Sequence, residues 1–144
     1  MSEFRIAEVS FAEAEPALHA VREQVFVQEQ QVPLELEWDG LDAEALHVLA
    51  VDAKGRPVGT GRMLADGHIG RVAVLPTWRG RGVGRALVAA LLELARRRGL
   101  HRVRLAAQTE AIGFYETLGF AAHGPEFMDA GIPHRHMERE VTQD

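Results

Sequence analysis

The chain has 144 residues, 47% hydrophobic and 26% charged, with a formal net charge of −5. That is the size and mix of one ordinary domain, here 1–144, able to form a core without staples. It contains no cysteine, which excludes disulfides, thiolate zinc sites and cysteine nucleophiles, and its acidity argues against nucleic-acid partners. The opening MSEFRIAEVSF has neither the basic start nor the apolar stretch of a signal peptide. The longest apolar run, Ala86 to Ala95, is interrupted by Glu93 and is too short to cross a bilayer. The expectation is a cytoplasmic protein with no membrane partner and no metal.

Residues 3–9 alternate and are rich in β-formers, so they predict a strand. Ser10 is a good N-cap for a helix over about 12–28, with a break expected near Pro16. Residues 29–44 read as irregular. They hold six acids (Glu29, Glu35, Glu37, Asp39, Asp42, Glu44) and no base. Such a run is either a solvated loop or a rim that attracts a cationic substrate. Strands over 45–52, 57–64 and 68–75, joined by the turns AKGR and ADG, predict an antiparallel meander.

A helix over 82–98 follows, with Val83, Leu87, Leu91 and Leu94 on one face and Gly99 ending it. Strand 101–106 then completes a β–α–β crossover with strand 68–75, which implies a parallel pair. A short helix over TEAIGFYETLG and strands 119–128 and 134–141 close the chain. The fold class is α+β, with a mixed sheet of about seven strands and flanking helices.

Between the third strand and the long helix lies WRGRGVGRAL. Glycines at Gly80, Gly82 and Gly84 alternate with Arg79, Arg81, Val83 and Arg85, and a helix begins at once. Bare backbone, positive charge and a helix N-terminus together point to an anion, above all a phosphate. The loop does not match a P-loop, because no Lys-Ser or Lys-Thr follows. It does not match G-x-G-x-x-G, because Arg85 or Leu87 stands where the third glycine belongs. A plain left-handed turn is the other reading of the loop alone.

Further segments in order narrow this. Arg71-Val72-Ala73-Val74, then Arg79-Gly80-Arg81-Gly82-Val83-Gly84, then Phe114-Tyr115-Glu116-Thr117-Leu118-Gly119-Phe120 resemble the Gcn5-related N-acetyltransferase (GNAT) superfamily over nearly the whole chain. Val21 to Val27 leading to Glu29-Gln30, then Glu37, Asp39, Asp42, His47, Ala107-Gln108 and Gly131-Ile132-Pro133-His134 resemble its ElaA-type branch. The resemblance implies acetyl-CoA as cosubstrate, its pyrophosphate on residues 79–85 and its pantetheine arm along Val72, Ala73 and Val74. That strand would be splayed from its parallel neighbour, with Gln108 also beside the cofactor. It also implies acetyl transfer to a small-molecule amine by direct attack, and it admits a homodimer. A non-catalytic CoA-binding sensor and a protein N-acetyltransferase are the alternatives.

Within that resemblance, Tyr115 matches the acid that protonates the departing thiolate. A phenol with an ordinary pKa of about 10 can donate near neutral pH. The main-chain N–H near Val74 is the expected oxyanion donor. His134 is the first choice of base, with His136 on the same face by alternation. Glu29, Glu37 or Asp39 acting through water, or no dedicated base at all, are the other readings. Arg22, Glu29, Trp38 and Asp39 are expected at the acceptor site, Trp38 serving equally as a packing anchor. His47 reads as a core or network residue. The run Arg96–Arg98 reads as a cationic helix end.

Overall fold

The computed structural model describes residues 3–143. Strand β1 (Phe4–Val9) leads into helix α1 (Phe11–Arg22). Ser10 caps α1, accepting from the Glu13 N–H and donating its hydroxyl to the Glu13 carboxylate. Contrary to expectation the helix does not break at Pro16, which lies within it. A proline there removes one N–H near the helix start, and packing of Leu18 and Val21 in the interior outweighs that loss. The helix changes register instead at Glu23, continuing as a π-helical stretch over Glu23–Glu29.

The segment expected to be irregular contains a single helical turn, α2 (Leu34–Glu37), and a 3-10 turn over Asp42–Glu44. Strands β2 (Leu46–Asp52), β3 (Pro57–Met63) and β4 (Ile69–Val74) form the predicted meander. Asp52 fixes the first turn by accepting from the Lys54 and Arg56 amides. Helix α3 (Val83–Arg97) crosses to β5 (Arg102–Gln108), and α4 (Ile112–Glu116) leads to the β6 (Ala121–Asp129) and β7 (Ile132–Glu140) hairpin.

Alternation along β2 divides the interior. Val48 and Ala50 face α3, while Leu49 and Val51 face α1. The apolar stripe read from α3 is buried as expected, joined by Val88 and Ala95. Gly59 and Gly61 of β3 let α3 press close: a Cβ at Gly59 would lie 2.9 Å from the Leu87 side chain.

The expected mixed sheet is divided in two. One sheet has the order β1-β2-β3-β4 and the other β5-β7-β6. The parallel neighbours β4 and β5 meet only at a bridge between His68 and Arg104, where Arg104 N–H donates to Gly67 O (3.0 Å). Beyond that apex the two strands part. The splay leaves a wedge between the sheets, and Asp39, Gln108, Tyr115 and His134 line it.

Candidate active site

A cavity of about 510 Å³ fills the wedge. Its walls include β4 (Ile69 to Val72), β5 (Leu105 to Gln108), the β6–β7 hairpin, Tyr115, and the 30–41 segment that follows the π-helical stretch. Leu75 N–H donates to Val58 O across the β3–β4 ladder. Successive residues of a strand point their peptide groups to opposite sides, so those of Val72 and Val74 face the wedge. Ala73, named with them from sequence, pairs instead with Thr60 of β3.

The glycine–arginine loop stands outside this cavity, at the wedge's open end. Gly80 and Gly82 have φ of 76° and 86°, and a Cβ on either would meet nothing within 4 Å. Their role is conformational, and the space above them is free for a ligand. Gly82 is the N-cap of α3 and no side chain caps the helix. The first-turn N–H groups of a 15-residue helix therefore stay available, with the dipole behind them. This cradle fits a pyrophosphate. Gly84 differs, because a Cβ there would lie 3.3 Å from the Phe114 ring. It admits α4 against α3 rather than shaping the loop.

The loop arginines are each braced. Arg79 forms a two-pronged pair with Glu29 (2.7 Å each) and donates from Nε to Val74 O (3.0 Å). Arg81 lies 4.8 Å over the Trp78 ring, and Arg85 reaches the Thr117 hydroxyl. Val83 is buried in the core, so only its backbone can face a ligand. Gln108, at the end of β5, exchanges amide hydrogen bonds with Gln30 and lines the cavity.

Tyr115 lines the same cavity. Its ring meets Phe114 and Phe120 edge-on, at 5.0 and 5.8 Å between centroids. Desolvation pushes the phenol up to about 12, so it stays protonated across the physiological range. His134 lies on β7 opposite Gln108, stacked on Phe127 and 8% exposed. Its Nδ1 is 2.7 Å from Ile132 O. A carbonyl only accepts, so Nδ1 carries the hydrogen, and in the neutral ring Nε2 keeps its lone pair. His136 also lines the cavity and stacks on Phe127 at 4.4 Å, as the alternation predicts.

The acceptor-side expectations need correction. Arg22 is 1% exposed and does not line the cavity. It is held by Glu37 (3.0 Å) and Asp42 (2.8 Å) and supports the wall from behind. Trp38 is outside the cavity and stacks on His19 at 5.1 Å, which makes it the packing anchor. Glu29 also lies outside, engaged with Arg79. Of the four residues, Asp39 alone lines the cavity. Desolvation pushes its carboxyl up, but hydrogen bonds from Arg62 and the Leu41 N–H, with the Arg62 and Arg71 charges, hold it at about 2.

The acidic run is therefore no open negative rim. Arg22, Arg62 and Arg71 alternate with Glu37, Asp39 and Asp42 in one continuous network. Three cations meet three carboxylates, and the 29–44 segment is tied down by charges it was expected to project. His47 donates from Nε2 to Asp42 O (2.8 Å), and desolvation is the main cause that lowers its pKa.

Sequence reading missed Arg62 and Arg71 as site residues. A signal was present: lone arginines in apolar strands require buried carboxylate partners. Arg71 also has a φ of 51°, rare for a non-glycine residue, which no local pattern announces. Among the described residues, no group of His, Asp or Glu could hold a metal ion. Nor is any helix long and apolar enough to cross a membrane.

A splayed β4–β5 pair, a backbone cradle at a helix start and a tyrosine facing the wedge define an acyl-CoA-dependent acyltransferase. The chain belongs to the GNAT family of acetyltransferases, since the model of the acetyltransferase (GNAT) domain matches residues 12–141. Within that family it is similar to Escherichia coli ElaA, with a TM-score of 0.81 and 30% identity over 97% of this chain and 100% of that one. An acyl-CoA N-acyltransferase from Pseudomonas aeruginosa superimposes with a TM-score of 0.80, also at 30% identity, over 96% of this chain and 99% of that one. The uncharacterized N-acetyltransferase YjcF of Bacillus subtilis is 42% identical over 83% of this chain and 88% of its own.

Proposed function

We propose that this enzyme transfers the acetyl group of acetyl-CoA to the primary amine of a small molecule, in one ternary complex without an acetyl-enzyme. His134 Nε2 takes a proton from the amine. The neutral amine nitrogen then bonds to the acetyl carbon as the carbon–sulfur bond breaks, and the second proton shed by the new amide nitrogen replaces the one that Tyr115 gives up. The Val74 N–H donates to the acetyl oxygen as charge develops there, and Tyr115 gives its proton to the departing sulfur. Val72 and Val74 hold the pantetheine arm, and the amides from Gly80 to Arg85 hold the pyrophosphate.

The observation that carries this reading is the Nδ1–H bond of His134 to Ile132 O, which leaves a lone pair on Nε2 in the cavity that Tyr115 also lines. A cavity of about 510 Å³ suits a small acceptor better than a polypeptide chain. The test is thiol release from acetyl-CoA with a panel of amines of different pKa, in wild type and His134→Ala. The wild type should show an ascending pH limb that does not move with the acceptor's own pKa, and the variant should lose it. A limb that follows the acceptor and survives the substitution would clear His134 of the base role.

A further inference from the structure

We propose that the acceptor amine also carries an anionic oxygen group, a carboxylate or a phosphate, received by Arg62 and Arg71 on the cavity wall. This rests on the small-amine acetyltransferase reading above and names the substrate class for it.

The argument is an accounting of donors and acceptors. Arg62 and Arg71 both line the cavity. The carboxylates beside them offer a ligand no free lone pair that it can reach: Asp42 Oδ2 and Glu37 Oε1 each accept only one bond, but the Glu37 side chain is fully buried and Asp42 does not line the cavity. Asp39 Oδ1 accepts from Leu41 N–H and Arg62 Nη1, and Oδ2 from Arg62 Nη2 and Arg71 Nη2. Asp42 is occupied by Arg22 and Arg62, and Glu37 by Arg22. The guanidinium donors are not all used. Arg62 is 5% exposed, and its buried Nε–H has no acceptor. Arg71 places all its hydrogen bonds on Nη2, to Leu36 O, Glu37 O and Asp39. Its Nε lies 2.7 Å from Glu37 Oε2 but is not aimed at it, so that contact is charge without a directed bond.

What remains at this wall is donor capacity from two cations, in a network whose formal charges already cancel. An incoming ammonium would find no accessible free acceptor there. An anionic oxygen would find Arg71 Nη1, which donates to nothing among the described residues, on a side chain 23% exposed at the cavity wall, while Arg62, whose Nε–H is inaccessible, adds its charge without a direct bond. The other end of the cavity has the opposite character. Asp129, exposed at the β6–β7 turn, makes no ion pair among the described residues, and His134 stands on the same hairpin. The cavity is thus bipolar, with an amine end at the hairpin and an anion end at the arginines.

The experiment measures kcat/KM by thiol release at saturating acetyl-CoA, so that added anions do not compete at the cofactor loop. Acceptors are tested in pairs: α-amino acids against their carboxamides, and aminoalkyl and amino-sugar phosphates against the dephosphorylated amines. The anionic member of one series should exceed its neutral counterpart at least tenfold, mainly through KM. The series that responds distinguishes carboxylate from phosphate. Arg71→Gln, with CoA-induced thermal stabilisation retained as proof of folding, should collapse that ratio toward unity. Neutral members acetylated as well as the anionic ones in both series would overturn the anion site and leave the acetyltransferase reading standing. An undiminished ratio in folded Arg71→Gln would likewise remove Arg71 from the site. No transfer to any member, with CoA still bound, would overturn both readings.

Discussion

The two ends of the wedge are built by opposite means. The end proposed for the cofactor is main chain: two left-handed glycines, an uncapped helix start and a strand edge, all within residues 72–85. The end proposed for the acceptor is side chain: Arg22 from α1, Glu37, Asp39 and Asp42 from the following segment, Arg62 from β3 and Arg71 from β4. A backbone site tolerates changes of side chain so long as φ and the strand edge persist. A charge network fails when one member is lost, because its partners stay buried and unpaired. One fold can therefore keep its cosubstrate while its acceptor varies.

The strongest test of that contrast is Arg22→Ala. It leaves Glu37 and Asp42 short of their shared cation in the interior, and unfolding free energy should fall by about 3–5 kcal/mol in urea titration. A loss below about 1 kcal/mol would mean that the network behaves as a surface one.

Tyr115→Phe comes next. It keeps the ring and removes the donor, so turnover should drop by about 10²–10⁴ while CoA affinity holds. Normal turnover would take the acid role away from Tyr115 and leave the backbone end as the main catalytic element.

Gly82→Val probes that backbone end directly. A β-branched residue at φ 86° costs about 1–3 kcal/mol of strain, and isothermal titration should show CoA binding weakened by a comparable amount. Unchanged affinity in a folded variant would reduce the loop to a turn.

Acid sharpens the comparison further. Asp39 is held at about 2, below its ordinary value near 4, and Asp42 is lowered too, despite desolvation, by Arg22 and Arg62. Such groups stabilise the fold fully above pH 4, and that contribution disappears as pH falls toward 2. Urea midpoints between pH 6 and 3 should therefore decline more steeply in wild type than in Asp39→Asn. Equal slopes would place the acid sensitivity elsewhere.

The smallest effect is expected of Glu29→Gln, which weakens a half-exposed pair with Arg79. Stability should change by less than about 1 kcal/mol. A larger loss would show that Glu29 ties the acceptor segment to the cofactor loop.

The sequence by itself determined the strands and the longer helices, the apolar face of α3, the glycine–arginine loop and the alternation that puts His134 and His136 on one face, but not the single turn α2. Each depends on neighbours a few residues apart, through periodicity, capping and turn chemistry. The tertiary structure decided the rest. It carried α1 through Pro16, parted β4 from β5 beyond His68, and turned Ala73 away from the wedge that Val72 and Val74 face. It also converted an acidic run into the partners of Arg22, Arg62, Arg71 and Arg79. Those pairs join residues 15 to 50 positions apart. Charge interactions depend on distance in space and on exclusion from water, and neither is fixed until the chain has folded.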